Sequence, residues 1–367
     1  MKRDNGRAAV APGALPAAPM PAGRAAPARI DRVQMADIAR LAGTARSTVS
    51  RALNNSPLIS EATRSRIVEL ARSLNYSINV GAKNLRRGEN RTIGVVIPAD
   101  AASRQPISDP FFLSMVGSIA DAVTERSMDL LLSRVDADHL DAVSSLYDSG
   151  RVMGVVMIGQ WLHHDQLNQL ALRNVPVVTW GAKLDNALYP TVGSDNRKGG
   201  TLATRHLIAQ GCRRIVFLGN RELPEVRQRH EGYAASLRAA QLPALPELEL
   251  AVPFQSAAAR AAVRALVQRR VPFDGLFAAS DVLAMSAVTA LSESGLRVPA
   301  DVAVVGFDDI PAAAYFHPPL TTVHQSLDEA GRQLVDCLLR RVQSAPVEPC
   351  VLPTKLVVRD TSVRQGV

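Results

Sequence analysis

Residues 35–53, MADIARLAGTARSTVSRAL, contain two short helical patterns separated by a glycine. In the first, apolar side chains recur every three or four residues on one face, and Gly43 is expected to end the helix. In the second, Val49 and Leu53 face inward, while arginine and hydroxyl side chains face outward. Two helices joined by a short glycine-containing turn predict a helix-turn-helix, so this stretch decides the fold of the N-terminal part of the chain.

A third helical pattern follows in residues 61–75, EATRSRIVELARSLN. Ser60 stands directly before it and is suited to cap its N-terminus. The inward positions of this helix are Ile67, Leu70, Ala71 and Leu74. We therefore predict an all-α headpiece over residues 32–78.

The charge of the chain is unevenly distributed. Residues 1–91 hold 16 lysines and arginines against 6 aspartates and glutamates, whereas the rest of the chain holds 26 against 28. A basic N-terminal quarter on a near-neutral body predicts a module that binds a polyanion.

The second helix of the motif has the side chains that a DNA recognition helix needs. The major groove admits one α-helix, and residues near the N-terminus of that helix meet the base edges. Arg46 and Ser47 lie at this end, Arg51 lies one turn further on, and Thr48 and Ser50 are natural phosphate donors. A merely solvated helix would explain the polar face, but not the two-helix pattern together with the basic charge.

The N-terminal residues, the lengths of the apolar runs and the cysteines argue against a secreted, a membrane-spanning or a metal-binding protein. Residues 1–31 are rich in alanine and proline, and the repeated prolines favour a disordered tail over a signal peptide. No apolar run approaches the roughly 18 residues of a membrane span. The three cysteines, Cys212, Cys337 and Cys350, lie far apart and match no metal-binding spacing, so we interpret them as reduced thiols. We therefore expect a cytoplasmic protein without a metal or cofactor. Its predicted DNA-binding module would associate it with the nucleoid.

From residue 92 the pattern changes to apolar strands that alternate with helices. The predicted strands are 92–99, 129–135, 152–159, 175–181, 213–219, 275–280 and 301–309, and the predicted helices include 111–127, 198–211 and 283–295. This alternation predicts an α/β core of two doubly wound parallel-sheet subdomains. We assign residues 79–90 to a hinge helix, 91–360 to a two-lobed core and 361–367 to a tail.

Polar and aromatic side chains cluster where these strands end. In open parallel sheets, ligands bind beyond the carboxyl ends of the strands. The residues found there are Phe111, Phe112, Gln160, Trp161, Trp180, Asp195, Asn196, Ser280, Asp281, Asp308 and Asp309. Carboxylates, amides and flat rings suit a sugar, whose hydroxyls form hydrogen bonds and whose C–H faces stack. Asp281 fits equally well as a helix cap, and Trp180 as ordinary core.

The ordered motifs of the chain resemble the lactose-repressor (LacI) family of bacterial transcription regulators. They include VQMADIARLAGTARSTVSRALNN, NLRRG, SDNRKGG, RHLIAQGCRRIVFLG, AASDVLAMSAV, ADVAVVGFDDI and PPLTTVHQS. The resemblance covers residue 32 to about 360. It implies a DNA-binding headpiece, a hinge helix and a core like type I periplasmic sugar-binding proteins, acting as a homodimer on a pseudo-palindromic operator.

The resemblance also implies residue roles at the DNA. Arg46, Ser47 and Arg51 match base-reading positions of the family. Leu85 matches an apolar wedge that enters the central minor-groove step, and Arg86 is then expected beside phosphates. A buried anchor against the core is the alternative for Leu85.

The chain departs from the family pattern at two places. The family's usual proline after the tyrosine is Ile78 here. Before the recognition helix the family usually has Val-Ser where this chain has Thr44-Ala45, and because alanine cannot cap the helix N-terminus as serine would, we expect a cost of about 1 kcal/mol. Thr44 is expected to compensate.

In the core, Arg229, Phe254, Ser280 and Asp308 match family positions that contact the effector. Several motifs look most like the branch that responds to cellobiose and other glucosides, so a glucosyl disaccharide is the predicted effector. A purine or a sugar phosphate is the alternative, and a sugar-binding protein without a DNA role is a more distant one. The sequence contains no phosphate loop, nucleophile elbow or metal cluster, so we do not expect an enzyme. It also shows no heptad repeat after residue 360, so we expect a dimer and not a tetramer.

Overall fold

The structure is a computed structural model, in which the chain divides into two units, Met1–Lys83 and Asn84–Val367. The structure describes residues 34–53, 56–74, 90–99, 105–136 and 139–364.

The N-terminal unit contains the three predicted helices: α1 (Met35–Leu41), α2 (Arg46–Leu53) and α3 (Glu61–Ser73). Gly43 has a φ of +62°, so a residue without a Cβ makes the turn between α1 and α2. The buried side chains are small and aliphatic: Ile38, Ala39, Ala42, Val49, Ala52, Ile67 and Ala71. Such small side chains allow short helices to approach closely around one apolar centre.

Two side chains fix the third helix in this unit. The Ser60 hydroxyl accepts a hydrogen bond from the backbone N–H of Thr63 at 3.4 Å, which confirms the predicted cap of α3. The guanidinium of Arg66 donates to the Ala42 carbonyl at 3.0 Å and thereby ties α3 to the end of α1.

The core unit alternates strands and helices. Its strands are β1 (Thr92–Ala99), β2 (Asp129–Asp136), β3 (Gly154–Ile158), β4 (Val177–Trp180), β5 (Thr191–Ser194), β6 (Ile215–Leu218), β7 (Glu249–Leu250), β8 (Gly275–Ala278), β9 (Ala303–Asp308), β10 (Thr321–Gln325), β11 (Cys350–Leu352) and β12 (Thr354–Val357). Its helices are α4 (Pro110–Glu125), α5 (Asp141–Asp148), α6 (His164–Leu172), α7 (Asn196–Ala209), α8 (Pro224–Ala239), α9 (Ser256–Gln268), α10 (Asp281–Glu293), α11 (Pro311–Tyr315) and α12 (Leu327–Val342). None of the described helices is long and apolar enough to cross a membrane.

The strands form two six-stranded sheets, as the sequence predicts. The first has the order β11-β5-β4-β3-β1-β2, and the second has the order β12-β10-β9-β8-β6-β7. All neighbours are parallel except β10 and β12, which pair antiparallel. Five strands of the structure are absent from the predicted list: β5, β7, β10, β11 and β12. They are short or alternate polar with apolar residues, so they lack the continuous apolar run of a buried parallel strand.

The chain crosses between the two sheets three times. The crossings lie at Asp195, between β5 and α7, at Ser326, between β10 and α12, and at Pro353, between β11 and β12. The first lobe therefore consists of residues 90–194 and 327–352, and the second consists of 195–325 and 354–364. Helix α12 packs on α4 in the first lobe, where a Cβ on Gly331 would lie 2.2 Å from the Ser118 hydroxyl.

Candidate functional site

A cavity between the two lobes collects most of the predicted effector residues. About 620 Å³ within it, counted together with space open to solvent, holds no protein atoms. Its lining is Gln105, Asp109, Phe111, Phe112, Gly159, Trp161, Trp180, Leu223, Glu225, Val226, Arg229, Phe254, Ser280 and Asp308. Of the ten predicted effector residues, this list includes all but Gln160, Asp195 and Asp281.

The first lobe supplies a group of aromatic rings. The ring of Phe111 lies 5.9 Å from that of Phe112 and 6.3 Å from that of Trp180, centroid to centroid, in tilted geometries. Trp161 has a φ of +50° and is 6% exposed, and its indole Nε1 has no hydrogen-bond partner in the described part of the chain. A Cβ on Gly159 would approach this nitrogen to 2.8 Å, so only glycine leaves room for the indole.

Arg229 projects from α8 and is held by its own lobe. Its Nε donates to the Asn196 side-chain oxygen at 2.8 Å, and its Nη1 donates to the Ala279 carbonyl. The guanidinium carbon lies 3.7 Å from the centroid of the Phe307 ring, a cation–π contact. Burial lowers the pKa of Arg229, and the carboxylates of Asp308 and Glu225 oppose this effect.

Asp308 ends β9 in a strained conformation. Its φ of +124° belongs to a region that residues with a Cβ rarely occupy, and strain of this kind is often found at ligand sites. The Gln325 amide donates to its Oδ1 at 2.7 Å. Burial raises the pKa of Asp308 to about 7; the Arg229 cation opposes this rise, and the Asp109 charge adds to it.

Two further polar residues of the cavity are partly used to cap helices. Asp109 accepts at Oδ1 from the backbone N–H of Phe111 at 2.9 Å, which caps α4, and at Oδ2 from the Gln105 amide at 2.9 Å. The Ser280 hydroxyl accepts from the backbone N–H of Leu283 at 3.3 Å and caps α10. Both side chains are therefore fixed before any ligand arrives.

Gln160 is also predicted to contact the effector; in the structure it is 1% exposed and does not line the cavity. Its amide donates to the Ala182 carbonyl at 2.8 Å and to the Tyr189 hydroxyl at 3.2 Å, and it accepts from the Ala182 N–H at 2.9 Å. Gln160 thus links the segments that follow β3 and β4.

Asp195 also lies outside the cavity lining, because it forms the first crossing between the lobes. Its backbone N–H donates to the Leu352 carbonyl at 2.9 Å, and its Oδ1 accepts from the N–H of Lys198 at 3.0 Å. The carboxylate therefore caps α7 at the junction of the lobes.

Asp281 does not line the cavity either. It is fully buried, and its carboxylate accepts from the backbone N–H of Ile310 at 2.9 Å and from the Thr322 hydroxyl. Burial and the nearby Asp308 charge raise the pKa of Asp281 well above its ordinary range. Ser280, and not Asp281, caps α10, so Asp281 instead joins the start of this helix to the segments after β9 and in β10.

The recognition-helix residues lie on the surface of the headpiece as expected. Arg46, Ser47 and Arg51 are exposed, while Thr48 and Ser50 are half-buried. The expected compensation by Thr44 is absent, because its buried hydroxyl has no hydrogen-bond partner among the described residues. Leu85 and Arg86 lie outside the residues that the structure describes.

Comparison with known proteins relates both units to one family. Residues 34–79 match the description "Bacterial regulatory proteins, lacI family", and residues 204–362 match "Periplasmic binding protein-like domain". The transcriptional regulator CelR of Thermobifida fusca is 33% identical over 335 residues, which cover 88% of this chain and 96% of that protein. The chain belongs to the LacI family.

Other members are similar over most of their length. The transcriptional repressor PurR of Haemophilus influenzae is 31% identical over 83% of this chain and 90% of that protein. A CelR–cellobiose complex has 30% identity and a TM-score of 0.67, covering 90% of this chain and 100% of that one. A lac repressor dimer bound to operator and the anti-inducer ONPF has 25% identity and a TM-score of 0.79, covering 91% and 100%. Both the headpiece and the two-lobed core are thus those of a LacI family regulator.

Sequence reasoning missed several lining residues of this LacI family core. They are Gln105, Asp109, Leu223, Glu225 and Val226. The last three follow β6, so the strand-end rule would have found them had it been applied to that strand. Asp109 carries the signature of a helix start, Asp before Pro, which also places it beside the cavity. The described residues contain no group of three side chains suited to hold a metal ion.

Proposed function

We propose that this protein is a homodimeric repressor that binds a pseudo-palindromic operator at the bacterial nucleoid. A small sugar bound in the cavity lowers or raises its affinity for the operator. The effector is a glucoside or glucosyl disaccharide such as cellobiose, and no catalytic step is involved. One observation carries the proposal: a chain with an exposed basic recognition helix also has a cavity in which a fixed arginine and a fixed carboxylate face aromatic rings.

On the DNA side, the exposed ends of α2 support sequence-specific contact. Arg46 and Ser47 reach base edges at the N-terminus of the helix, and Arg51 reaches a base or a phosphate. Thr48 and Ser50 donate to phosphates, which orient the helix in the groove. The lac repressor structure, a dimer on its operator, supports the same assembly for this chain.

On the effector side, the polar groups of the cavity suit hydroxyls. The Asp308 carboxylate accepts from sugar O–H groups, Arg229 donates to sugar oxygens, and Phe254 and Trp180 offer ring faces to the C–H surface of the sugar. The similarity to a regulator solved with cellobiose supports a disaccharide. The similarity to PurR keeps a purine as the second candidate, since the same rings would stack on a base.

The two ligands are coupled through the core. We expect the sugar to favour a closed arrangement of the two lobes that changes the affinity for the operator. Linkage then requires the operator to change the affinity for the sugar by the same factor, typically about 5–150-fold.

The DNA claim is tested by selecting binding sites for the full chain from random duplex DNA. We expect inverted repeats, and we expect Arg46→Ala to cost about 1–3 kcal/mol and to relax the preference at one position of each half-site. Arg72→Ala removes the same charge from an exposed position on α3 and serves as the control. Identical sites and affinities for Arg46→Ala and the wild type would refute base reading by α2.

The effector claim is tested by titrating the full chain with cellobiose, maltose, glucose and hypoxanthine. The only two tryptophans, Trp161 and Trp180, line the cavity, so intrinsic fluorescence reports occupancy. A saturable change with a sugar, together with a change of operator affinity at the same concentration, supports the proposal. A response to hypoxanthine alone favours the purine candidate instead.

A further inference from the structure

The charged groups that line the cavity are unequal in number. Three carboxyl groups, of Asp109, Glu225 and Asp308, face one guanidinium, of Arg229. Glu225 stands in the first turn of α8, one turn before Arg229 on the same helix. With all groups ionised, the described lining therefore has a formal excess of negative charge.

Part of the guanidinium is already engaged by the protein. Its Nε and Nη1 donate to Asn196 and to the Ala279 carbonyl, and one face covers Phe307. A phosphate group requires several donors converging on it, often with a bidentate arginine. Two of the five N–H groups of Arg229 are thus used within the protein, and the described lining contains no second arginine or lysine to complete such a cradle.

The helix N-termini at the cavity are also occupied. A free helix N-terminus is the usual backbone site for an anion. The first turn of α4 is capped by Asp109 and begins with a proline, α10 is capped by Ser280, and α8 begins at Pro224 with the Glu225 carboxyl in its first turn. Each helix thus presents a side-chain oxygen, in two cases a carboxylate, where an anion would bind.

One buried donor of the cavity remains unsatisfied. The Nε1 of Trp161 has no partner among the described residues although the side chain is 6% exposed, and a buried N–H without an acceptor is costly. This N–H can donate to a ligand oxygen such as a hydroxyl or ring oxygen. The three carboxyl groups in turn can accept hydrogen bonds from a ligand. A hydroxyl group can act both as the acceptor for the indole and as a donor to a carboxylate.

We propose that Glu225 is a specificity-determining residue that makes this cavity select uncharged, hydroxyl-rich effectors and reject their phosphorylated forms. This inference rests on the proposed function for the position of the effector. The physical cause is like-charge repulsion in a partly desolvated cavity, which Glu225 adds to that of Asp109 and Asp308.

The first test uses ligand pairs that differ by one phosphate: cellobiose with its 6-phosphate, and glucose with glucose 6-phosphate. Binding to the full chain is followed by tryptophan fluorescence at pH 8. We expect the phosphorylated member to bind at least about tenfold more weakly, and Glu225→Gln to reduce this gap severalfold. Glu222→Gln makes the same charge change at an exposed position outside the cavity lining and should leave the gap unchanged.

The second test needs no effector. Iodide and caesium ions quench the two tryptophans of the cavity, and each quenching constant is divided by its value for N-acetyltryptophanamide. We expect the normalised quenching constant of caesium to exceed that of iodide. Glu225→Gln should lower the caesium-to-iodide ratio of these constants by roughly threefold, whereas Glu222→Gln should leave it unchanged.

The two tests separate this inference from the proposed function. If no ligand of either pair binds, the sugar assignment fails and the quenching ratio alone decides the role of Glu225. Preferred quenching by iodide in the wild type overturns the inference, and so does equal or tighter binding of a phosphorylated member. A gap that Glu225→Gln leaves unchanged overturns it as well.

Discussion

The two walls of the cavity differ in how their side chains are held. The second lobe contributes charged side chains whose hydrogen bonds are already formed within that lobe: Arg229 with Asn196 and Ala279, and Asp308 with Gln325. The first lobe contributes four of the five aromatic rings of the lining together with the fixed carboxylate of Asp109, and the indole N–H of Trp161 has no partner among the described residues. Most of the preorganised polar contacts therefore lie on one wall, whereas the other wall offers mainly contact area. We expect selectivity to come mainly from the second lobe.

Removing Arg229 from the second-lobe wall of the cavity should have the largest effect on stability and on effector binding. Arg229→Ala leaves the buried carboxyl groups of Asp308 and Asp281 without their nearby cation, so we expect a loss of about 3–5 kcal/mol in the free energy of unfolding. Effector binding should be lost as well. Urea unfolding followed by tryptophan fluorescence measures the first effect in the core unit, where both tryptophans lie.

The matched control is Arg238→Ala, which removes an exposed arginine from the last turn of the same helix. It should change the free energy of unfolding by less than about 0.5 kcal/mol. Equal losses for the two variants would contradict the special position of Arg229.

The pH dependence of sugar binding isolates Asp308. If sugar hydroxyls donate to its carboxylate, binding requires the ionised form, and a group with a pKa of about 7 is then increasingly protonated as the pH falls. Affinity should fall by up to about tenfold per pH unit below 7 and stay flat above it. Calorimetric titration between pH 5.5 and 8.5 measures this slope, which Asp308→Asn should abolish.

The same raised pKa has a defined sign for stability. Because folding raises the pKa of Asp308, its contribution is most favourable at acid pH, below the pKa of the unfolded chain, and is lost as the pH rises through about 7. Asp308→Asn should therefore flatten the dependence of the unfolding free energy between pH 4 and 7. An unchanged curve would place the ionisation elsewhere.

The aromatic wall is tested by Trp161→Phe, which keeps a ring but removes the unpaired N–H. We expect sugar affinity to fall by about threefold to tenfold, because one hydrogen bond to the ligand is lost. The free energy of unfolding should stay equal or rise slightly, since a buried unsatisfied donor is removed. A loss of stability without a loss of affinity would mean that the indole only packs.

The smallest effect on binding is expected for Asp281→Asn. Its carboxylate bonds Ile310 and Thr322 and does not line the cavity, so sugar affinity should change by less than about twofold. Asp308→Asn provides the contrast, since it makes the same change on the cavity wall. Comparable losses of affinity in the two variants would remove the distinction between them.

These two aspartates also mark how far the sequence could be interpreted. The family resemblance implies the position of Arg229. The apolar runs, the glycine turn of the headpiece and the strand-end rule predict the fold class and place Asp308 at the cavity, which Arg229 also lines. They do not separate Asp308 from Asp281, because both follow a buried strand. The difference arises from the φ of +124° at Asp308 and from the pairing of β9 with β10, which brings Thr322 close to Asp281.

Glu225 and Asp109 were missed for a related reason. Each lies at the start of a helix, and local sequence explains such a residue completely as a cap or a first-turn acid. The strand-end rule, applied to β6, places Glu225 at one edge of its own sheet, whereas the approach of the two lobes in space brings both helix starts to one cavity. Residues with a sufficient local explanation are thus the ones that a sequence pattern hides.

The second passage of the chain through the first lobe has a consequence for synthesis. The chain leaves the first lobe after Ser194, and α12, the first-lobe helix that packs on α4, begins only at Leu327. At about 5–20 residues per second, the ribosome takes roughly 7 to 26 s to make the intervening segment. During that interval the apolar face of α4 is uncovered in the nascent chain. A chaperone that holds apolar surface should therefore be retained on translating ribosomes until α12 emerges from the exit tunnel.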